Sequence, residues 1–269
     1  MPDDIPSASE AYKDIRSLAR GIALLKCMNQ MPGGTATTTE LGQMTQVHRT
    51  TVKRMLETLR TCGLVRPTEQ EGQYCLTFEV KRLSEGFIED EWISQVATPL
   101  MRGAVKQLMW PCDLATMEAG FLVVRESTHR FSLLSQHQAM IGERLPLFVT
   151  AIGRAYLAAC DAEQLGSILQ LLGQRPDWIG DMARDRQSID ALLQATRARG
   201  YARNSGEWAK ESDFSAIGVA VMGTDQVIGA INMIYPNASV DEQTVERKYL
   251  PLLQKLAYRI GRDSTPWRE

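Results

Sequence analysis

The stretch His48-Arg49-Thr50-Thr51-Val52-Lys53-Arg54 puts three permanent cations and three further hydrogen-bonding side chains into seven residues. Arginine, lysine and threonine donate to base edges in a DNA groove, and cations neutralise backbone phosphates. Val52, Met55, Leu56 and Leu59 recur at helical spacing, so a helix here buries them and turns the donors outward near its N-terminal half. Arg49, Thr50, Thr51 and Lys53 are therefore candidates for DNA recognition, with Arg54 and the downstream Arg66 placed for phosphates. An ordinary solvated basic helix has the same pattern, so the surrounding elements must decide.

Other chemistries have less support. The chain contains no G-x-S-x-G elbow, Walker loop, H-E-x-x-H or strand-linked G-x-G-x-x-G. Asp213, Ser215 and His137 are the residue types of a hydrolytic triad, but no local motif marks a nucleophile. Five cysteines without a C-x-x-C pair and three histidines without metal spacing predict reduced thiols, no metal and no cofactor. No catalytic residues are assigned.

The elements around the basic helix give it context. Leu18, Ile22, Leu25 and Met28 mark a first helix, ended by Pro32-Gly33-Gly34; Thr37-x-x-Glu40 is a capping box opening a short second one. After a turn at Thr45 to Val47 comes the basic helix, closed by Gly63. Leu64 to Pro67 and Gln73 to Phe78 flank the polar turn Glu69 to Gly72 and read as a hairpin. The sum is a winged helix-turn-helix over residues 1–78, including an N-terminal tail. The net charge is −2, yet Ala11 to Arg66 holds nine Lys or Arg against three acids, a footprint suited to double-stranded DNA.

Val80, Leu83 and Phe87 predict a linker helix over 79–92, with the acids Glu89, Asp90 and Glu91 at its end. Residues 93–269 mix the two periodicities and predict one α+β domain. Helices are expected from Ile93 to Met109, Thr150 to Cys160, Ala162 to Leu172, Asp185 to Arg199 and Asp241 to Arg262. Strands are expected at Leu114 to Glu118, Phe121 to Glu126, Phe131 to Ser135, Ser215 to Met222 and Val227 to Ile234. No apolar run approaches the roughly 18 residues of a membrane span, and the acidic first 15 residues lack a signal-peptide core. A cytoplasmic protein without membrane contact is expected.

Three blocks together resemble the IclR family of transcriptional regulators: Arg16-Ser17-Leu18-Ala19-Arg20-Gly21, His48-Arg49-Thr50-Thr51-Val52, and Gly142-Glu143-Arg144-Leu145-Pro146-Leu147 followed by Gly153-Arg154-Ala155-Tyr156-Leu157-Ala158. The likeness runs from about Ile15 to Arg262. Trp110-Pro111 with Asp113, Val123 to Ser132, and His137 ahead of Ala139-Met140-Ile141-Gly142 are similar to the subfamily that activates 3-(3-hydroxyphenyl)propionate catabolism. The resemblance implies a winged helix-turn-helix joined by the linker helix to a GAF-like effector domain. It further implies a homodimer or homotetramer, a DNA operator, a small aromatic carboxylate effector and, for an activator, contact with RNA polymerase.

Carried over from the family, the effector pocket involves Leu134, His137, Ala151, Ile152, Asn204, Asp213, Ser215, Asn232 and Ile234. Asn204 stands where relatives can carry an acid, and Arg154 replaces a common lysine. Trp110, Arg130 and Trp208 are further candidates as aromatic wall, carboxylate clamp and lid; core tryptophans or a surface arginine would serve equally. The apolar members fit plain core as well, whereas buried His137, Asn204, Ser215 and Asn232 would each need a partner, from the ligand or from neighbouring backbone. Two other functions compete with an aromatic-acid regulator: a repressor of the same family answering a short keto or hydroxy acid, and an enzyme with an accessory DNA-binding-like domain.

Overall fold

In the computed structural model, which describes residues 15–84, 91–136 and 140–267, helical spacing puts Leu24 and Met28 on the buried side of α1 (Arg16–Gln30). The capping box opens α2 (Thr38–Thr45): Thr37 Oγ1 accepts from the Glu40 amide at 3.2 Å, and Glu40 accepts from the Thr37 amide at 2.7 Å. Gln46 ends α2 in the left-handed region, with φ 56°. At Gly42 an added Cβ would lie 3.0 Å from the Val47 carbonyl oxygen, so the turn into α3 (Arg49–Thr61) closes tightly there. The expected hairpin forms as β2 (Val65–Pro67) and β3 (Gln73–Leu76). A third strand, β1 (Thr35–Thr37), pairs antiparallel with the other edge of β3. Leu41, Val52, Leu56, Val65 and Tyr74 join Leu24 and Met28 in one core.

These elements belong to the first of two compact units, Met1–Ile88 and Glu89–Glu269. Of the expected linker helix, the short α4 (Glu79–Arg82) and residues 91–92 are helical, and Leu83 and Ser84 form a turn. Phe87, Glu89 and Asp90 lie outside the described residues.

In the second unit a π-helical turn, Ile93–Ala97, leads into α5 (Thr98–Leu108). The strands β4 (Asp113–Glu118), β5 (Phe121–Ser127), β6 (Arg144–Leu145), β7 (Ala202–Ser205), β8 (Phe214–Met222) and β9 (Val227–Pro236) make one antiparallel sheet ordered β6-β5-β4-β9-β8-β7. Alternation sorts neighbours to opposite faces: Leu114 and Ile231 enter one core, Ala115 and Ala230 the other. The first core is covered by α5 and α11 (Leu250–Ser264). Between β9 and α11 the chain runs through α10 (Glu242–Thr244) and a π-helical turn, Val245–Tyr249. The second core lies beneath α6 (Ala151–Ala159), with α7 (Ala162–Gly173), α8 (Trp178–Arg184) and α9 (Arg186–Arg199) packed outside it.

Glycine decides where α6 sits. A Cβ at Gly218 on β8 would fall 2.5 Å from the Ala151 carbonyl oxygen, far inside contact distance. Its absence lets the N-terminal turn of α6 lie directly on β8.

One expectation needs correction, and one helix was not expected. Phe131 to Ser135 is not a strand: the Thr128 carbonyl collects the amides of Phe131 and Ser132, and Ser132 Oγ donates to the Met109 carbonyl at 2.6 Å, which fixes a turn. The chain from Trp178 to Arg184, unassigned from its pattern, is helical because Asp177 caps it by accepting from the Ile179 and Gly180 amides.

Candidate functional site

On the first unit, Arg49, Thr50, Lys53, Arg54 and Arg66 are exposed and Thr51 is half-buried. The N-cap of α3 is His48, whose Nδ1 accepts from the Thr50 amide at 3.4 Å and pairs with Thr50 Oγ1 at 2.9 Å. Arg49 Nε donates to Thr38 Oγ1 at 3.2 Å, tying the start of α3 to the start of α2. The acid within α3, Glu57, is occupied elsewhere: it accepts from Arg60 at 2.8 Å and from the Tyr74 hydroxyl at 2.7 Å. Those two bonds, Tyr74 first, hold its carboxyl below the usual glutamate range. Among the described residues no carboxylate pairs with Arg49, Lys53, Arg54 or Arg66. The structure therefore brings an exposed cationic face to α3 and the adjoining β2, on which Lys53 still feels the charge of Glu57.

In the second unit a small cavity of about 40 Å³ opens where α6 meets β8 and β9. Met140, Leu145, Ile152, Trp208, Phe214 and Ile234 supply apolar wall, and Asp113, Thr150, Asn204, Glu211, Ser215 and Asn232 supply polar groups. Thr150 is the N-cap of α6, accepting from the Gly153 amide at 3.1 Å and donating to the Pro146 carbonyl at 2.7 Å. Asn204 donates to the Val149 carbonyl, and Ser215 Oγ donates to Asn237 Oδ1 at 2.7 Å. Asn232 Oδ1 accepts the Asp113 backbone amide at 2.8 Å. Both carboxylate oxygens of fully buried Asp113 lack a hydrogen bond. His129 Nε2 stands 3.6 Å from one of them, and its Nδ1 pairs with Ser135 Oγ at 2.6 Å.

Of the effector residues expected from sequence, Ile152, Asn204, Trp208, Ser215, Asn232 and Ile234 meet in this wall. Ala151 neighbours it in α6, packed over Gly218. Asp213 is exposed at the mouth of β8, its carbonyl accepting from the Asn237 amide. Leu134 and Arg130 are exposed on the segment after β5 and do not line the cavity. Trp110 lies 6.2 Å from the Tyr235 ring against the opposite core, where a large apolar side chain fills space. His137 lies outside the described residues. Sequence reasoning missed Asp113, Met140, Leu145, Thr150, Glu211, Phe214 and Ala216 as wall residues. Thr150 had a readable signal, a threonine directly ahead of a helical pattern; Asp113 had the weaker one of an acid at the head of an apolar strand.

Arg154 is a brace within this unit. Its guanidinium donates to the Phe148 carbonyl at 2.8 Å, the Arg203 carbonyl at 2.6 Å and Glu207 at 3.0 Å. Burial pushes the Cys160 thiol up to about 11, and burial together with the Asp113 charge raises Cys112. Both thiols stay protonated at neutral pH and are poor nucleophiles.

A family model described as the IclR helix-turn-helix domain matches residues 17–69, and one described as the bacterial transcriptional regulator IclR C-terminal domain matches residues 87–262. The Pca regulon regulatory protein of Pseudomonas putida is 27% identical, covering 88% of this chain and 80% of its own. The p-hydroxybenzoate hydroxylase transcriptional activator of Acinetobacter baylyi is 24% identical over 95% of both chains. The transcriptional repressor IclR of Escherichia coli is 24% identical over 76% of this chain and 74% of its own. Among solved structures, an IclR homolog from Microbacterium hydrocarbonoxydans complexed with 4-hydroxybenzoate shares the fold, with TM-score 0.56 and 22% identity over 92% of this chain and 98% of that one.

Proposed function

The chain belongs to the IclR family of bacterial DNA-binding transcriptional regulators, and from that premise we propose that it controls aromatic-acid catabolic genes through a small aromatic carboxylate held in the cavity of its second unit. The observation that carries this reading is the cavity itself: mostly apolar in its wall, and bounded by the N-terminal turn of α6. The positive end of a helix dipole favours a carboxylate there. Relatives named for aromatic substrates point the same way. By its subfamily resemblance the effector is 3-(3-hydroxyphenyl)propionate or a near neighbour, and control is by activation through RNA polymerase.

In this reading residues 1–78 hold the operator, 79–92 link, and 93–269 sense. Arg49, Thr50, Thr51 and Lys53 face the bases, while Arg54 and Arg66 face phosphates. One small winged domain offers limited specificity, so a homodimer or homotetramer on a partly palindromic operator is expected, with paired footprints as the check. The effector claim is tested by calorimetry with 3-(3-hydroxyphenyl)propionate, 4-hydroxybenzoate, pyruvate and glyoxylate. Heat with an aromatic acid supports it. Heat confined to pyruvate or glyoxylate replaces it with the short-acid repressor reading.

A further inference from the structure

We propose that Asp113 receives a hydrogen-bond donor, a ring hydroxyl, at the end of the effector remote from its carboxylate, making the cavity selective for hydroxylated over unsubstituted aromatic acids. The inference rests on the reading above, that this cavity takes an aromatic acid.

Asp113 opens β4, is fully buried and lines the cavity. An ionised carboxylate only accepts hydrogen bonds, and a buried acceptor without a donor is costly. Yet no described residue donates to either of its oxygens. The neighbouring polar groups are already committed: Thr150 donates to Pro146, Ser215 to Asn237 and Asn204 to Val149. Asn232 turns its Oδ1 to the Asp113 backbone amide, so that contact leaves the carboxylate untouched. His129 Nε2, itself without a hydrogen bond, pairs with Asp113 Oδ2 across 3.6 Å, beyond hydrogen-bond distance. Asp113 Oδ1 is thus the acceptor left for a donor that arrives from the cavity.

Electrostatics fixes which end of the ligand that is. No lysine, arginine or histidine is among the described wall residues, and the two ionisable ones are the acids Asp113 and Glu211. A ligand carboxylate is favoured at the N-terminal turn of α6. The far end of a ring then meets Asp113. A hydroxyl there donates to Oδ1, whereas hydrogen or methoxy leaves that oxygen buried without a donor. Sites built to bond a ligand hydroxyl reject the analogue lacking it more strongly than apolar contacts reject a missing methylene.

The test is calorimetric titration of the full-length protein with 3-(3-hydroxyphenyl)propionate, 3-(3-methoxyphenyl)propionate and 3-phenylpropionate. The wild type is expected to prefer the hydroxylated acid by about tenfold or more. Asp113→Ala is expected to bring the three within about twofold, chiefly by weakening the hydroxylated one. Asp113→Asn keeps an acceptor oxygen and part of the preference, and it stands in if the alanine variant does not fold. Because the readout is a ratio of ligands on one protein, a loss of folded fraction does not imitate the effect. Equal affinities in the wild type, or a preference unchanged in both variants, overturns the role of Asp113 while leaving the aromatic reading in place. No binding of any of the three acids overturns that reading and the inference with it.

Discussion

The outer face of α3 and the cavity beside α6 both hold polar atoms without a hydrogen-bond partner from the protein, but at very different cost. Lys53, Arg54 and Arg66 stand in water, where hydration satisfies them and an absent carboxylate costs almost nothing. Asp113 is sealed from solvent, where an unmet polar group costs about 1 to 3 kcal/mol, and a charged one more. The contrast separates two kinds of evidence. An exposed cationic face shows what the surface can attract; a buried acid lacking a donor shows what its site lacks. The first suits a polyanion read largely through its backbone, the second a small molecule with one particular group.

The largest expected effect separates the two units outright. Leu56 on α3 is fully buried, so Leu56→Ala should cost about 2 to 5 kcal/mol. Circular dichroism should show the first unit melting early and DNA binding lost, while calorimetry still records effector binding. Loss of both together would mean the two sites do not stand on separate cores.

Ligand binding sharpens the other side. A hydroxyphenylpropionate at 100 times its dissociation constant should raise stability by about 2.7 kcal/mol, read as a thermal shift of the second unit. Ser215→Ala removes the hydroxyl held by Asn237 in the cavity wall and should shrink that gain while sparing DNA affinity. An undiminished shift in the variant would take Ser215 out of the site.

On α3 the expected losses are smaller and differ in kind. Arg49→Ala should cost roughly 1 to 3 kcal/mol and relax preference at one base position; part of the loss comes from its bond to Thr38. Arg54→Ala should weaken all sequences alike and lower the salt slope by about one. Competition binding over a mismatch series and several salt concentrations distinguishes them, and identical behaviour would dissolve the division between base and phosphate contacts.

How legible each region was follows from the same contrast. The helix-turn-helix is built from local signals: the Thr37 and Glu40 box, the apolar spacing of Val52 and Leu56, and Gly63 as a helix stop all act within a few residues. The cavity is built by non-local pairing. Asp113 meets Asn232 across β4 and β9, Asn204 meets Val149 across the sheet and α6, and Gly218 matters because Ala151 lies above it. No short window contains such facts, so family resemblance located Asn204, Ser215, Asn232 and Ile234 but not Asp113. Where the pattern misled, as at Phe131 to Ser135, side-chain bonds from Ser132 turned a strand-like run into a turn.

The smallest effect concerns the acid within the basic helix. Tyr74 and Arg60 hold the Glu57 carboxyl below its usual value. A carboxyl depressed in the folded state contributes stability above its unfolded pKa, about 4.3, and loses it as pH falls through the folded value. Glu57→Gln should therefore flatten the acid side of the first unit's melting profile below about pH 4.5 and change little at neutrality. An unchanged acid limb would show that Glu57 contributes nothing there.

The central claim is that a cavity ligand governs the DNA-reading face. Its most direct test is the affinity of the full-length protein for an operator selected from genomic fragments, measured by fluorescence anisotropy while 3-(3-hydroxyphenyl)propionate is titrated. The account requires the affinity to shift with the same concentration dependence that calorimetry gives for the cavity. An operator affinity that stays constant through saturation of the cavity would contradict it.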